Sequence, residues 1–106
     1  MISKKDNKKI MELFKAVLTL KTSDEARRFF RDLLTEKELI EFGKRWKAAR
    51  MLSKNIPYVE IEKETGLSST TVARVSKWLN NGENGYRLVL RKLGLVKNNH
   101  NNHLLR

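Results

Sequence analysis

Within residues 57–80, PYVEIEKETGLSSTTVARVSKWLN, four consecutive hydroxyl side chains, Ser68, Ser69, Thr70 and Thr71, precede the cations Arg74 and Lys77 at helical spacing. Hydroxyls exchange hydrogen bonds with several base edges, a threonine methyl can touch a thymine methyl, and cations bind phosphate. The chemistry on offer is therefore non-covalent contact with duplex DNA. Catalysis lacks its parts: there is no cysteine, both histidines lie in the last seven residues, and no glycine-rich phosphate loop is present. Glu60, Glu62 and Glu64, with Lys63 between them, have the spacing of a solvated helix face rather than an acid–base pair. His100 and His103 are three residues apart, but they have no carboxylate or cysteine nearby to complete a metal shell. No metal site and no enzymatic activity are expected.

Two short helices joined at Gly66 would position the hydroxyls. Ile61, Leu67, Val72 and Val75 are the apolar positions needed to lock such helices together, and Gly66 stands where the turn requires positive φ. Ser68 and Ser69 cap the second helix. This is the pattern of a helix-turn-helix over about residues 57–80, whose second helix enters the major groove by its N-terminal end and brings Ser69, Thr70 and Thr71 nearest the bases. An ordinary helical hairpin would have a similar apolar pattern, with Ser69 only a cap and the threonines only solvated.

The remaining elements also read as helices. Ile10, Leu13, Phe14, Val17 and Leu18 predict an amphipathic helix from after Lys5 to about Leu20, with a lysine-rich opposite face. Thr22 or Ser23 caps a second helix whose buried face is Ala26, Phe29, Phe30, Leu33 and Leu34. Thr35 with Glu38 forms a capping box for a third, which carries Leu39, Phe42, Gly43, Trp46 and Ala49 on one face and runs to about Ser53. Asn55, Ile56 and Pro57 end it, and Pro57 suits the first turn of the next helix. After a turn-rich break from Asn80 to Gly85, Tyr86, Val89, Leu90 and Leu93 stripe a last helix that Gly94 terminates. Residues 97–106, KNNHNNHLLR, lack periodicity and read as a mobile tail.

A chain of 106 residues makes one domain, here residues 1–96, and its size makes oligomerisation a natural way to bury more apolar surface. No long apolar run or signal pattern is present, so a soluble cytoplasmic protein with no membrane partner is expected. The net charge of +11 attracts a polyanion. It is unevenly spread: residues 1–21 carry +4, residues 22–56 carry +3, residues 57–80 are neutral and residues 81–106 carry +4. Phosphate attraction must therefore come from flanking cations such as Arg45, Lys47, Arg50, Arg87 and Lys92. The first two helices expose Phe14, Val17, Leu18, Phe29 and Phe30, a set that a homodimer interface would cover.

The run LLTEKELIEFGKRWKAARMLSKN followed by the helix-turn-helix resembles the Trp repressor family, specifically its YerC/YecD-type branch. In register are the LLT capping motif, Gly43 to Arg45, the turn from Glu64 to Gly66, and Thr71 with Arg74. The resemblance implies an all-α, six-helix fold in an intertwined homodimer, with N-terminal helices crossing between subunits and each helix-turn-helix a separate reading head. It further implies a ligand pocket between the third helix and the recognition helix, where two arginines matching Arg45 and Arg74 hold the indole of tryptophan. At two pocket positions this chain departs from the tryptophan-binding member. Val75 replaces a glycine and would occupy the space of the ring, and Trp78 replaces a serine that helps hold the ammonium group. L-Tryptophan is therefore not the expected ligand, no cofactor is assigned, and any other effector is left open. Basic residues of that member's first reading helix correspond here to Val59 and Glu62, so its operator sequence does not transfer either.

The expectation is a homodimeric, sequence-specific DNA-binding transcriptional regulator, a repressor by resemblance. DNA contacts fall to Ser68, Ser69, Thr70, Thr71, Arg74 and Lys77, and the pocket to Arg45, Arg74, Val75 and Trp78. The rival is a helical adaptor dimer that binds a protein or structured RNA through its neutral head.

Overall fold

The computed structural model describes residues 1–96, so the tail at residues 97–106, with His100 and His103, lies outside the described residues. Six helices follow in chain order: α1 (Lys4–Val17), α2 (Ser23–Leu33), α3 (Glu36–Ser53), α4 (Tyr58–Thr65), α5 (Ser69–Asn81) and α6 (Gly85–Lys92). No strand occurs among the described residues. The chain forms two compact units, residues 1–39 and the part from Ile40 onward.

In the first unit, local hydrogen bonds fix the helix ends. The Ser3 hydroxyl accepts from Asp6 N–H at 3.1 Å to start α1, and the Thr22 hydroxyl accepts from Glu25 N–H at 3.1 Å to start α2. α1 stops at Val17, short of the expected Leu20, because the chain tightens there. Thr19 N–H and Leu20 N–H bond to carbonyls three residues back, and the Thr19 hydroxyl takes the Ala16 carbonyl at 2.6 Å. α2 and α3 follow the helix dipole, with Asp24 and Glu25 or Glu36 and Glu38 in the first turn and Arg31 or Arg50 in the last.

α1 opposes its dipole at one end. Lys4, Lys5, Lys8 and Lys9 crowd its N-terminal half against a single Asp6. The pairs Lys4/Lys8 and Lys5/Lys9 are like charges at i, i+4, each costing about 0.2–0.5 kcal/mol at low salt.

α3 opens with the expected capping box: Thr35 N–H donates to Glu38 Oε1 at 2.9 Å and Glu38 N–H donates to Thr35 Oγ1 at 3.1 Å. The Thr35 N–H, and after it the Thr35 side chain, holds the Glu38 carboxyl below its ordinary value. Because this pKa is lowered by folding, the cap is intact at neutral pH and weakens as acid protonates Glu38.

No residue of α1 or α2 is buried. On the face expected to be buried, Ala26, Phe29, Phe30 and Leu34 are half-buried and Leu33 is exposed. Phe29 and Phe30 meet edge to face at 5.5 Å between ring centres.

The second unit holds the core. Ala48 and Ala49 of α3, Ile61 of α4, Leu67 of the turn, and Val72 and Val75 of α5 form one buried cluster, with Trp46, Met51, Leu52, Ile56 and Tyr86 packed against it. The face of α3 pointing inward therefore centres on Ala48 and Ala49, while Phe42 of the expected face is exposed. Between α3 and α4, Asn55 takes the left-handed conformation at φ 60°, and Pro57 stands one position before the expected first turn. Its carbonyl accepts from Glu60 and Ile61 N–H, so Pro57 is the N-cap of α4.

The turn between α4 and α5 is tied by one buried polar side chain. Thr65 Oγ1 donates to the Ile61 carbonyl at 2.7 Å and accepts from Leu67 N–H at 3.2 Å. Gly66 has φ 74°, and a Cβ placed there would meet only the Lys44 ammonium at 3.7 Å. Handedness, not crowding, thus requires glycine. Gly66→Ala is expected to destabilise the protein by about 1–2 kcal/mol, read as a lower denaturation midpoint with an unchanged slope. Full stability in the variant would mean that the turn relaxes to another conformation.

Candidate nucleic-acid interface

The outward face of α5 follows from its inward one. Val72, Val75 and Leu79 are buried, so at 100° per residue the opposite side carries Thr70, Ala73, Arg74 and Lys77, all exposed. Ser68 is the N-cap: its hydroxyl accepts from Thr71 N–H at 3.2 Å and donates to Thr71 Oγ1 at 3.0 Å. Ser69 begins the helix and is exposed, and Thr71 is half-buried beside the cap. The six side chains singled out from the sequence thus divide. Ser68 and Thr71 are engaged in the helix start, whereas Ser69, Thr70, Arg74 and Lys77 present their side chains to solvent.

A residue not singled out for this role secures the other end of α5. Arg87 of α6 donates from Nε to the Leu79 carbonyl at 3.0 Å and from a terminal nitrogen to Asn80 Oδ1 at 2.8 Å. These bonds place a cation at the carbonyl end of the helix, where the dipole favours it. Arg87 therefore acts on α5 as a clamp, whereas the sequence suggested only a flanking charge. Its partner atoms lie seven and eight residues away, outside the reach of any helical spacing rule.

The four residues assigned to a pocket each have their own surroundings. Val75 is fully buried in the core. Trp78 is 45% exposed and lines an open apolar cleft of about 510 Å³ with Trp46, Glu83, Gly85, Tyr86 and Val89. The Trp46 and Tyr86 rings stack at 6.2 Å. Burial pushes the Tyr86 phenol above its ordinary value and the nearby Arg45 charge opposes that shift, so Tyr86 stays neutral at physiological pH.

Arg45 lies over the Phe42 ring at 5.8 Å. Its Nε stands 3.4 Å from Glu41 Oε2, close enough for charge attraction but without hydrogen-bond alignment, so this buried N–H lacks a hydrogen-bond partner. Arg74 is exposed on α5. No group of three or more histidine, cysteine, aspartate or glutamate side chains among the described residues could hold a metal ion. No helix among them is long and apolar enough to cross a membrane.

Comparison with known proteins agrees with this architecture. The chain is 40% identical over 89 residues to the uncharacterised protein YerC of Bacillus subtilis strain 168, an alignment covering 84% of this chain and 86% of that protein. The crystal structure of a TrpR-like protein from Eubacterium eligens superposes with a TM-score of 0.80 at 38% identity, covering 85% of this chain and 93% of the other. A candidate Trp repressor from Staphylococcus aureus superposes at 0.78 with 35% identity, covering 84% and 89%. The family profile described as Trp repressor protein matches residues 8–94. With six helices in this order and a match over nearly the whole described chain, the protein belongs to the Trp repressor family.

Proposed function

We propose that this protein is a sequence-specific DNA-binding transcriptional regulator, a repressor in its simplest form, that acts as a homodimer through α4 and α5. The observation that carries the proposal is the exposed stripe of Ser69, Thr70, Arg74 and Lys77 on a helix whose opposite side is locked into the core. Such a helix can enter the major groove without losing its packing. Short hydroxyl side chains make modest individual base contacts, so water and DNA shape carry part of the readout.

Dimerisation is supported by the first unit. Residues 1–39 fall below the size at which a chain commonly sustains its own core, and α1 and α2 bury nothing. Phe14 is 52% exposed and Leu18 83%, beside the half-buried Val17, Phe29 and Phe30. A second copy of the chain would cover these groups and set two reading helices about one turn of DNA apart. Sedimentation equilibrium is expected to give twice the 12.4 kDa chain mass, and Leu18→Asp to shift the protein toward monomer. A native monomer would refute this assembly.

Selection from a random duplex library at near-physiological salt, without added ligand, is expected to enrich an inverted repeat. Thr70→Ala is expected to relax preference at one position of each half-site by about 0.5–1.5 kcal/mol, the net worth of one hydrogen bond. The neutral charge of residues 57–80 favours one rival, a dimer that docks a protein or structured RNA through the same head. Failure to enrich any sequence, with the partner retained in Thr70→Ala, would favour that rival.

Tryptophan is not the ligand in this reading. Val75 is a fully buried core residue whose side chain takes up space that an indole ring would need, and Trp78 offers no hydroxyl to hold the ammonium group. Calorimetric titration with L-tryptophan is expected to give no saturable heat, and a saturable isotherm would overturn the exclusion.

A further inference from the structure

We infer that the N-terminal half of α1 is a second DNA-contacting element, in which Lys4, Lys5, Lys8 and Lys9 bind backbone phosphates independently of sequence. The inference rests on the DNA-reading function proposed above and adds a surface to it. All four lysines are exposed, and among the described residues none joins an ion pair. They stand at the positive end of the helix dipole and repel one another at i, i+4, so the isolated helix gains nothing from them.

The contrast with α2 is informative. There Asp24 takes Arg27 at 2.9 Å and Arg28 at 3.1 Å, and acidic residues occupy the first turn. In α1 the first half of the helix sets four lysines against one carboxylate, Asp6, along an axis that rises 1.5 Å per residue. A polyanion is the partner such an array fits. The reading head supplies no net positive charge of its own, so a DNA reader of this composition needs phosphate contacts elsewhere.

Duplex DNA fits better than an anionic membrane. In a helix lying in a membrane surface, the basic and apolar faces run side by side along its length. In α1 the apolar side, with Phe14 and Val17, is taken by the dimer interface proposed above, which leaves no apolar face for a membrane and only the basic side for a partner.

The test compares two full-length variants that each remove two positive charges, Lys4→Gln/Lys8→Gln and Arg27→Gln/Arg28→Gln. Affinity for the selected operator and for a random duplex is measured by fluorescence anisotropy across a salt series. For the α1 pair, the slope of log affinity against log salt should fall by about 0.9 per lost phosphate contact. Both duplexes should weaken by the same factor, so that sequence preference is retained, and the melting temperature should be equal or higher. The α2 pair should change the slope less, because Asp24 already occupies those arginines.

An unchanged slope in the α1 variant, or an equal loss in both variants, would overturn the inference while leaving the DNA-reading function standing. A lowered melting temperature in the α1 variant would assign its lysines to structure and would also overturn it. So would loss of binding to phosphatidylserine vesicles with DNA binding intact. Native protein that binds no duplex at all would remove the function on which the inference rests.

Discussion

Everything this protein can present to a partner through α5 depends on a narrow aliphatic seam. Ala48 and Ala49 of α3 share one buried cluster with Ile61, Leu67, Val72 and Val75. Once Val72, Val75 and Leu79 face inward, the geometry of the helix leaves Thr70, Arg74 and Lys77 no direction but outward. A polar or bulkier residue in the seam would rotate or displace the whole reading face, because close-packed interiors transmit such changes. Thr65, Gly66 and the Ser68 cap then set the angle at which the second helix departs, and Arg87 holds its far end.

The two units distribute burial very differently. From Ile40 onward the chain builds an aliphatic core of its own, whereas in residues 1–39 only local caps and one aromatic pair accompany α1 and α2. Half-covered phenylalanines and an exposed Leu18 are costly in water unless another surface covers them. A dimer formed through these helices would turn that deficit into the assembly that reads a two-fold symmetric site. Charge follows a complementary division. Residues 57–80 are neutral, so in the proposed DNA reader selectivity there would rest on shape and hydrogen bonding, while the cations available for phosphate are spread over the flanking helices.

Much of the framework was legible because it is local. The Thr35/Glu38 box, the Ser68 cap, Gly66 at positive φ and the buried set Ile61, Leu67, Val72 and Val75 each depend on residues a few positions apart, and backbone sterics or helical period dictate them. Boundaries were less legible. α1 ends early because the Thr19 hydroxyl competes for a helix carbonyl, and Pro57 stands outside α4 because its carbonyl, not its ring, starts the helix.

The sequence by itself determined the helices, their order, the helix-turn-helix and the excess of positive charge, since these follow from short-range periodicity and composition. Tertiary structure alone decided that Ala48 joins the expected Ala49 on the inner face of α3 while Phe42 does not, and that Arg87 clamps α5. It also decided that Trp78 faces an open cleft beside the Trp46 and Tyr86 stack. The reason is that these outcomes depend on which surfaces meet. Helical period marks an apolar face, but only the packing of one helix on another determines which part of that face loses its water.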